Sequence, residues 1–344
     1  MQCQLEKVMN SNLLNEMETE SDIDASKPSM NSIRPAMKVS VSTSITSNFD
    51  GCLQPFHQKP NMEMKSGSRN LHYIDGVLSK SECEAFCLVS QNCEDLKFWS
   101  SKGRNDEAAR SFRDADTVEV KSLFLATSIW ERMKHLVPHA KITVSDNEDD
   151  ENWERELVGE WEASSLNSDL LFARYPSGGA FAPHTDGRAI LNFNTRSFFS
   201  VIIFLNDIDV ENGGGTRFYS ESATKNLQMI ASDDARIASN RWTADESLIT
   251  DTVSAVAGRM LIFHQSLVHE GVPPSYPNCK YIIRSDIMYT RRPAICASPS
   301  DLTAYSIFRE AENLAECGNV DESIVLFRRC FKLSPDLAKI MGQG

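Results

Sequence analysis

The sequence predicts an α+β fold: a jelly roll, or double-stranded β-helix, with helices packed before it and a helical hairpin after it. Three observations predict this class. Short apolar bursts ("DLLFARY", "SFFSVIIFLND", "TRFY", "RMLIFH", "KYIIRSDIMYT") follow one another between Gly, Pro, Asn and Asp clusters, as strands do. No helical period separates most of them, which favours two packed antiparallel sheets over an alternating α/β arrangement. Apolar residues at helical spacing occur before and after this region.

Taken in order, residues 1–68 are rich in Ser, Asn, Met and Lys, with few aromatics and no sustained periodicity. Such a segment cannot offset its own ordering entropy, so a disordered tail is expected. Order is expected from "LHYIDGVLSKSECEAFCLVSQ": a short strand, a turn at Asp75-Gly76, then a helix opened by Ser79 with Glu82 in the capping-box position. Cys83 and Cys87 share one face of that helix and read as small buried residues. "TVEVKSLFLATSIWERMKHLV" sets Val118, Leu123, Leu125, Ile129, Trp130, Met133 and Leu136 near the helical period, which predicts one long helix lying on the sheet. The acidic run "SDNEDDENWERELVGEWE" reads as a solvated loop. The stretch 220–251, polar and long between two strands, reads as an inserted surface loop of a domain bounded at 69–298. Residues 299–344 return to the helical period and read as two amphipathic helices about Gly318-Asn319, the second limited by Pro335. This segment resembles one tetratricopeptide unit through Ala311, Ala315, Gly318, Asp321, Phe327 and Pro335. One unit cannot form a solenoid, so a hairpin docked on the barrel is expected, with a protein partner on the hairpin as the further expectation.

Composition narrows the function. The 344 residues carry a net charge of −13, so a surface that neutralises phosphates would have to oppose the overall field, and no nucleic-acid partner is expected. Nine cysteines, an odd set without a C-x-x-C pair, fit neither a disulfide framework nor a thiolate zinc site; reduced thiols and a cytoplasmic or nuclear location are expected. Acidic residues interrupt the N-terminus before any apolar run reaches signal-peptide length, and no later span suits a bilayer. A soluble protein without a membrane partner is the expectation.

The stretch "RYPSGGAFAPHTDG" carries the chemistry. Side chains two apart on a strand point to one face, so His184 and Asp186 can converge on one ion, although Asp186-Gly187 is also an ordinary hairpin-turn pair. A third ligand must come from elsewhere. His57 lies in the tail, His72 precedes the sheet, and His135 and His139 end a helix, whereas His264 and His269 lie within the strand-rich region and either could face the pair. Two imidazoles and one carboxylate on one side of an ion leave three positions open, which suits non-haem Fe(II) oxygen chemistry. A dicarboxylate cosubstrate needs a cation deep in a barrel, and Lys280 and Arg284 alternate onto one face of "KYIIRSD".

Together the order "RY…GG.F.PHTDG", "FLND…GGGTRF", "GRMLIFHQSLVHEG" and "CKYIIRSDIMY" resembles the prolyl 4-hydroxylase-like branch of the Fe(II)/2-oxoglutarate dioxygenases, over roughly Leu71 to Arg292. The resemblance implies iron on His184, Asp186 and His269, with His269 preferred to His264 for its "LVHEG" context. It implies Lys280 as the cation for the distal carboxylate of 2-oxoglutarate, Arg284 as its alternative on the same face, and Tyr175 as a hydrogen-bonding partner of the cosubstrate. Gly213, Gly214 and Gly215 match a tight turn between strands. Two features depart from the pattern: Phe204 stands where some relatives have a tyrosine, and the spacing from His269 to Lys280 is one residue longer than is common in the family. The activity implied is hydroxylation of a C–H bond, of a prolyl or other residue in a protein or peptide or of a small molecule, with O2 consumed, succinate and CO2 released, and ascorbate as supporting reductant. The alternatives are a non-catalytic metal-binding interaction protein and a nucleic-acid demethylase on the same fold.

Overall fold

The thirteen-residue strand Lys280–Arg292 is buried along almost its whole length, so it must be covered on both faces. In this computed structural model, which describes residues 43–54, 62–67, 70–100, 106–147, 154–225, 227–230 and 240–343, that strand is the spine of a ten-stranded sheet. It pairs antiparallel with Thr195–Phe204 on one side, and on the other with Asp169–Tyr175 over its first half and Gly159–Leu166 over its second. Met260–His264 adds to Thr195–Phe204, and Asp116–Lys121 to Asp169–Tyr175. A second sheet of four strands runs Ile249–Val253, Thr216–Tyr219, Val268–Gly271, Phe181–His184.

The period-two alternation of the spine divides two cores. Ile283, Ile287 and Tyr289 point to the helical layer, where Phe49, Phe86, Ile129, Met133, Trp161 and Phe172 are fully buried. Ile282, with Tyr175, Ile202 and Phe204, points the other way and meets Phe218 and Val253 of the smaller sheet. This second core lies between the two sheets, as the expected jelly roll requires, and the polar residues of the same face, Lys280, Arg284 and Asp286, are carried into it.

The helical layer corrects several sequence expectations. Thr43–Asp50 is a helix whose Phe49 is buried against Phe172, with ring centroids 4.2 Å apart, and Met64–Ser66 pairs with Leu71–Ile74. These parts of the expected tail at 1–68 therefore belong to the fold; residues 1–42, 55–61 and 68–69 lie outside the described residues. The long helix expected over "TVEVKSLFLATSIWERMKHLV" is a strand, Asp116–Lys121, and then a helix, Leu123–Met133. Val118 and Val120 alternate inward at the strand period, and the Ser122 hydroxyl accepts the Leu125 N–H at 3.0 Å, starting the helix afresh. The helix Lys80–Gln91 has the expected capping box, and its Cys83 and Cys87 thiols are pushed up to about 12 by burial, as packing residues are.

The acidic run is shorter as a loop than expected, because Gly159–Leu166 joins the large sheet with Trp161 buried; residues 148–153 lie outside the described residues. The stretch 220–251 contains a two-stranded ribbon, Gln228–Ile230 with Arg241–Thr243, and its last residues already belong to the strand Ile249–Val253; residues 226 and 231–239 are not described. The C-terminal segment has three helices, Pro299–Glu316, Val320–Leu333 and Pro335–Ile340, so Pro335 opens a third helix instead of only limiting the second. The first of them reaches the core through Tyr305, whose hydroxyl accepts a hydrogen bond from Arg196 at 2.9 Å. No helix among the described residues is long and apolar enough to cross a membrane.

Two measurements check this packing. Phe49→Ala should cost about 3–5 kcal/mol in chemical denaturation, the range for emptying a buried aromatic site, and a loss below about 0.5 kcal/mol would place the N-terminal helix outside the fold. The second concerns Glu82, buried against Arg132 at 2.8 Å. Burial pushes its carboxyl up, but hydrogen bonds from Arg132 and from the Ser79 and Gln54 N–H groups outweigh this and hold it at about 2. A folded value below the ordinary one means stability that is present above pH 4.5 and lost as pH falls through about 2, amounting to about 3 kcal/mol. Glu82→Gln should lower stability at neutral pH and flatten this acid limb.

Candidate metal centre

The smaller sheet sets His184 and His269 directly opposite each other, the register pair between Phe181–His184 and Val268–Gly271. Their rings stand 4.2 Å apart, and both are buried. The strand ends at His184, so Asp186 does not reach the site by strand alternation. Its backbone N–H instead donates to Gln265 O at 3.0 Å, and its Oδ2 accepts the Ser200 hydroxyl at 2.5 Å. The result brings His184 Nε2 to 3.7 Å from Asp186 Oδ1 and His269 Nε2 to 3.8 Å from Asp186 Oδ2. One ligand atom from each residue lies within 4.8 Å of the others, and among the described residues no other His, Cys, Asp or Glu joins the group.

The tautomers follow from the acceptors. Nδ1 of His184 lies 2.7 Å from Ala182 O, and Nδ1 of His269 lies 3.0 Å from Leu267 O. A carbonyl only accepts, so both Nδ1 atoms carry a proton, and each ring turns its Nε2 towards Asp186. Burial, with the nearby His184, pushes His269 down to about 4, which keeps it neutral at physiological pH. Burial opposes ionisation of Asp186, but the Arg284 guanidinium prevails and holds its carboxyl well below the usual range. Two imidazoles, each fixed through its Nδ1, and one ionised carboxylate are a donor set a first-row divalent metal takes. His264, the other candidate, pairs with Phe199 in the large sheet and has its Nδ1 2.7 Å from Ser266 Oγ, outside the group.

The remaining expected residues divide. Arg284 lies on the cavity wall, bonded to Asp286 at 3.0 Å and standing 3.5 Å from Asp186 Oδ2. Asp286 is fixed in turn by Gln265 Nε2 at 2.9 Å, so a chain of compensated charges backs the carboxylate. Lys280 sits one strand across from Tyr175, beneath its ring and that of Phe204, and its ammonium donates to Gly215 O at 2.9 Å. The turn that presents this carbonyl needs glycine: Gly213 and Gly214 have φ of 74° and 72°. Burial pushes Lys280 down to about 7, with Glu270 opposing. Tyr175 lines the cavity, and the buried Lys280 ammonium stands 5.1 Å from the centre of its ring.

The cavity holds about 610 Å³ and opens between the two sheets beside the triad. Sequence reasoning missed Ser200, Gln265 and Asp286, which fix the acid, and also Phe181, stacked on His184 at 3.5 Å, and Arg113 on the same wall. Ser200 and Asp286 show a weak signal, as polar residues at inward positions of apolar strands. Arg113 shows none, because it reaches the cavity from a helix end far upstream in the chain.

The family model described as phytanoyl-CoA dioxygenase (PhyH) matches residues 72–274, a span that contains the three clustered residues and ends before Lys280 and Arg284. A search of curated proteins gives no match. Among solved structures, the chain is similar to the viral collagen prolyl hydroxylase of Paramecium Bursaria Chlorella virus-1 bound to 2OG, at 12% identity and a TM-score of 0.35, over 65% of this chain and 97% of that one. It is also similar to a Pseudomonas putida prolyl-4-hydroxylase, at 12% identity and 0.34 over 65% and 94% of the two chains, and to the epimerase SnoN in complex with Fe3+, alpha ketoglutarate and nogalamycin RO, at 13% and 0.36 over 64% and 79%. The family model that matches is the phytanoyl-CoA dioxygenase one, and the prolyl 4-hydroxylase-like branch stays an expectation. With a family match over more than half of its length, the chain belongs to the phytanoyl-CoA dioxygenase (PhyH) family.

Proposed function

We propose that the protein is an Fe(II)- and 2-oxoglutarate-dependent oxygenase that hydroxylates a C–H bond. The observation that carries this reading is the convergence of two imidazole Nε2 atoms and one carboxylate beside a cavity, with no fourth protein ligand among the described residues. A metal kept only for structure is more often closed by four protein ligands. Bound Fe(II) supplies the oxidising step, in which O2 gives one atom to 2-oxoglutarate, released as succinate and CO2, and the other to the substrate.

The chain's own residues bind, orient and exclude water. His184, Asp186 and His269 would hold the metal. Ser200 and Arg284 hold Asp186 Oδ2, which fixes the carboxylate plane. Lys280 is the cation for the distal carboxylate of the cosubstrate: its buried ammonium has only a backbone carbonyl as hydrogen-bond partner, and an arriving carboxylate would keep it charged. Phe204, Ile202 and Ile282 form the apolar floor on the same side. Arg284 is the weaker choice for that role, since Asp186 and Asp286 already compensate it. The family match does not carry the prolyl assignment, and the reading extends to a C–H bond in a protein, peptide or small molecule, with ascorbate as supporting reductant.

Protein supplied with Fe(II), ascorbate and 2-oxoglutarate should form succinate, slowly without substrate and faster with it, and His184→Ala should reduce this to background. Ser200→Ala, which removes only a partner of the acid, should cost about 10–100-fold in metal affinity or turnover. Metal-loaded protein that forms no succinate across candidate substrates would contradict the proposal.

A further inference from the structure

The cavity wall holds a cation that the reaction proposed above does not use. Three guanidinium groups line the cavity, those of Arg113, Arg188 and Arg284. Arg188 is bound to Glu154 at 2.5 Å, and Arg284 to Asp286 at 3.0 Å. Arg113 makes no ion pair among the described residues, and its Nε is buried there without a hydrogen-bond partner. A half-buried guanidinium facing a cavity in this state is suited to an anion that arrives from outside.

Its position is fixed. Arg113 follows the helix Glu107–Phe112, its N–H donates to Ala109 O at 2.8 Å, and its backbone bridges to Phe181. Its guanidinium carbon stands 4.9 Å from the centre of the Phe181 ring, which stacks on His184. It also lies within hydrogen-bonding reach of the Tyr175 hydroxyl, which burial pushes up and Arg113 draws down. A planar fork and a phenol O–H thus stand together one ring away from a candidate metal ligand. Leu171, Ile202 and Ile282 supply an apolar wall in the same cavity. Fork-shaped donors beside a hydroxyl match the two oxygens of a carboxylate.

We propose that Arg113 and the Tyr175 hydroxyl form a carboxylate-binding subsite separate from Lys280, so that one of the two organic reactants is held there by an acidic group. This rests on the oxygenase reading of the site. The carboxylate has two sources, the primary substrate or the distal end of the cosubstrate, and the partial exposure of Arg113 favours the substrate.

The test is anaerobic calorimetry on the full chain loaded with Fe(II), for wild type, Arg113→Met and Arg113→Lys. One arm titrates 2-oxoglutarate against 2-oxobutyrate, which lacks the distal carboxylate. The other, with 2-oxoglutarate saturating, titrates hexanoate against hexanamide. Wild type should bind hexanoate about tenfold more tightly than hexanamide; Arg113→Met should abolish that preference, and Arg113→Lys restore part of it, with the keto-acid preference unchanged in all three. Loss of the keto-acid preference in Arg113→Met would instead assign the subsite to the cosubstrate. Identical behaviour of wild type and Arg113→Met in both arms, with matching thermal melts, overturns the subsite. Wild type that binds neither keto acid refutes the oxygenase reading alone, and the hexanoate arm, run without keto acid, still decides whether Arg113 holds a carboxylate.

Discussion

Asp186 is a carboxylate buried between two imidazoles and a guanidinium, and the interior of the barrel is organised around keeping that charge compensated. An isolated buried carboxylate would take up a proton; this one is held ionised by Arg284 and by the Ser200 hydroxyl, and Arg284 is balanced in turn by Asp286. Gln265 closes the chain, since its side chain bonds Asp286 while its backbone oxygen fixes the Asp186 N–H. The acid is thus tied to the large sheet and the imidazoles to the smaller one. Their meeting point requires both sheets to pack in register.

That requirement explains the distribution of polar residues inside. The spine strand sends Lys280, Arg284 and Asp286 into the same interior as Ile282 and Phe204, at positions that sheet packing alone would fill with apolar side chains. Each carries a partner: a backbone carbonyl for Lys280, two carboxylates for Arg284, an amide and a guanidinium for Asp286. Polar groups retained at such positions, each with a partner, mark an interior that stability alone does not explain.

Much of this was legible in the chain. The strands from Asp169 to Arg292 announce themselves because buried strands read as apolar runs closed by turn residues. The H-x-D pair with His269 was legible through motif order, but spacing alone left His264 open, and only the pairing of Val268–Gly271 with Phe181–His184 puts His269 opposite His184. The Thr43–Asp50 helix was not legible: its eight residues are held by Phe49 and Ile45 against the core and by a hydrogen bond from the Ser122 hydroxyl to Asp50, all contacts with distant residues. The strand at Asp116–Lys121 was misread because Val118, Leu123 and Leu125 satisfy a helical spacing while the chain changes element at Ser122. Arg113 was invisible because its role comes from a contact across the fold and has no local pattern. Lys280, placed correctly on its strand face, turns its ammonium to a backbone carbonyl, which no sequence pattern shows.

The central claim is that two imidazoles and one carboxylate, brought together by the two sheets, hold a single Fe(II). X-ray absorption of the anaerobic Fe(II)-loaded protein tests it most directly, by comparing wild type with His269→Ala and His264→Ala. The account predicts a nitrogen and oxygen shell with two imidazoles and no sulfur, reduced to one imidazole in His269→Ala and unchanged in His264→Ala. A sulfur scatterer, or an imidazole lost with His264 instead of His269, would contradict it.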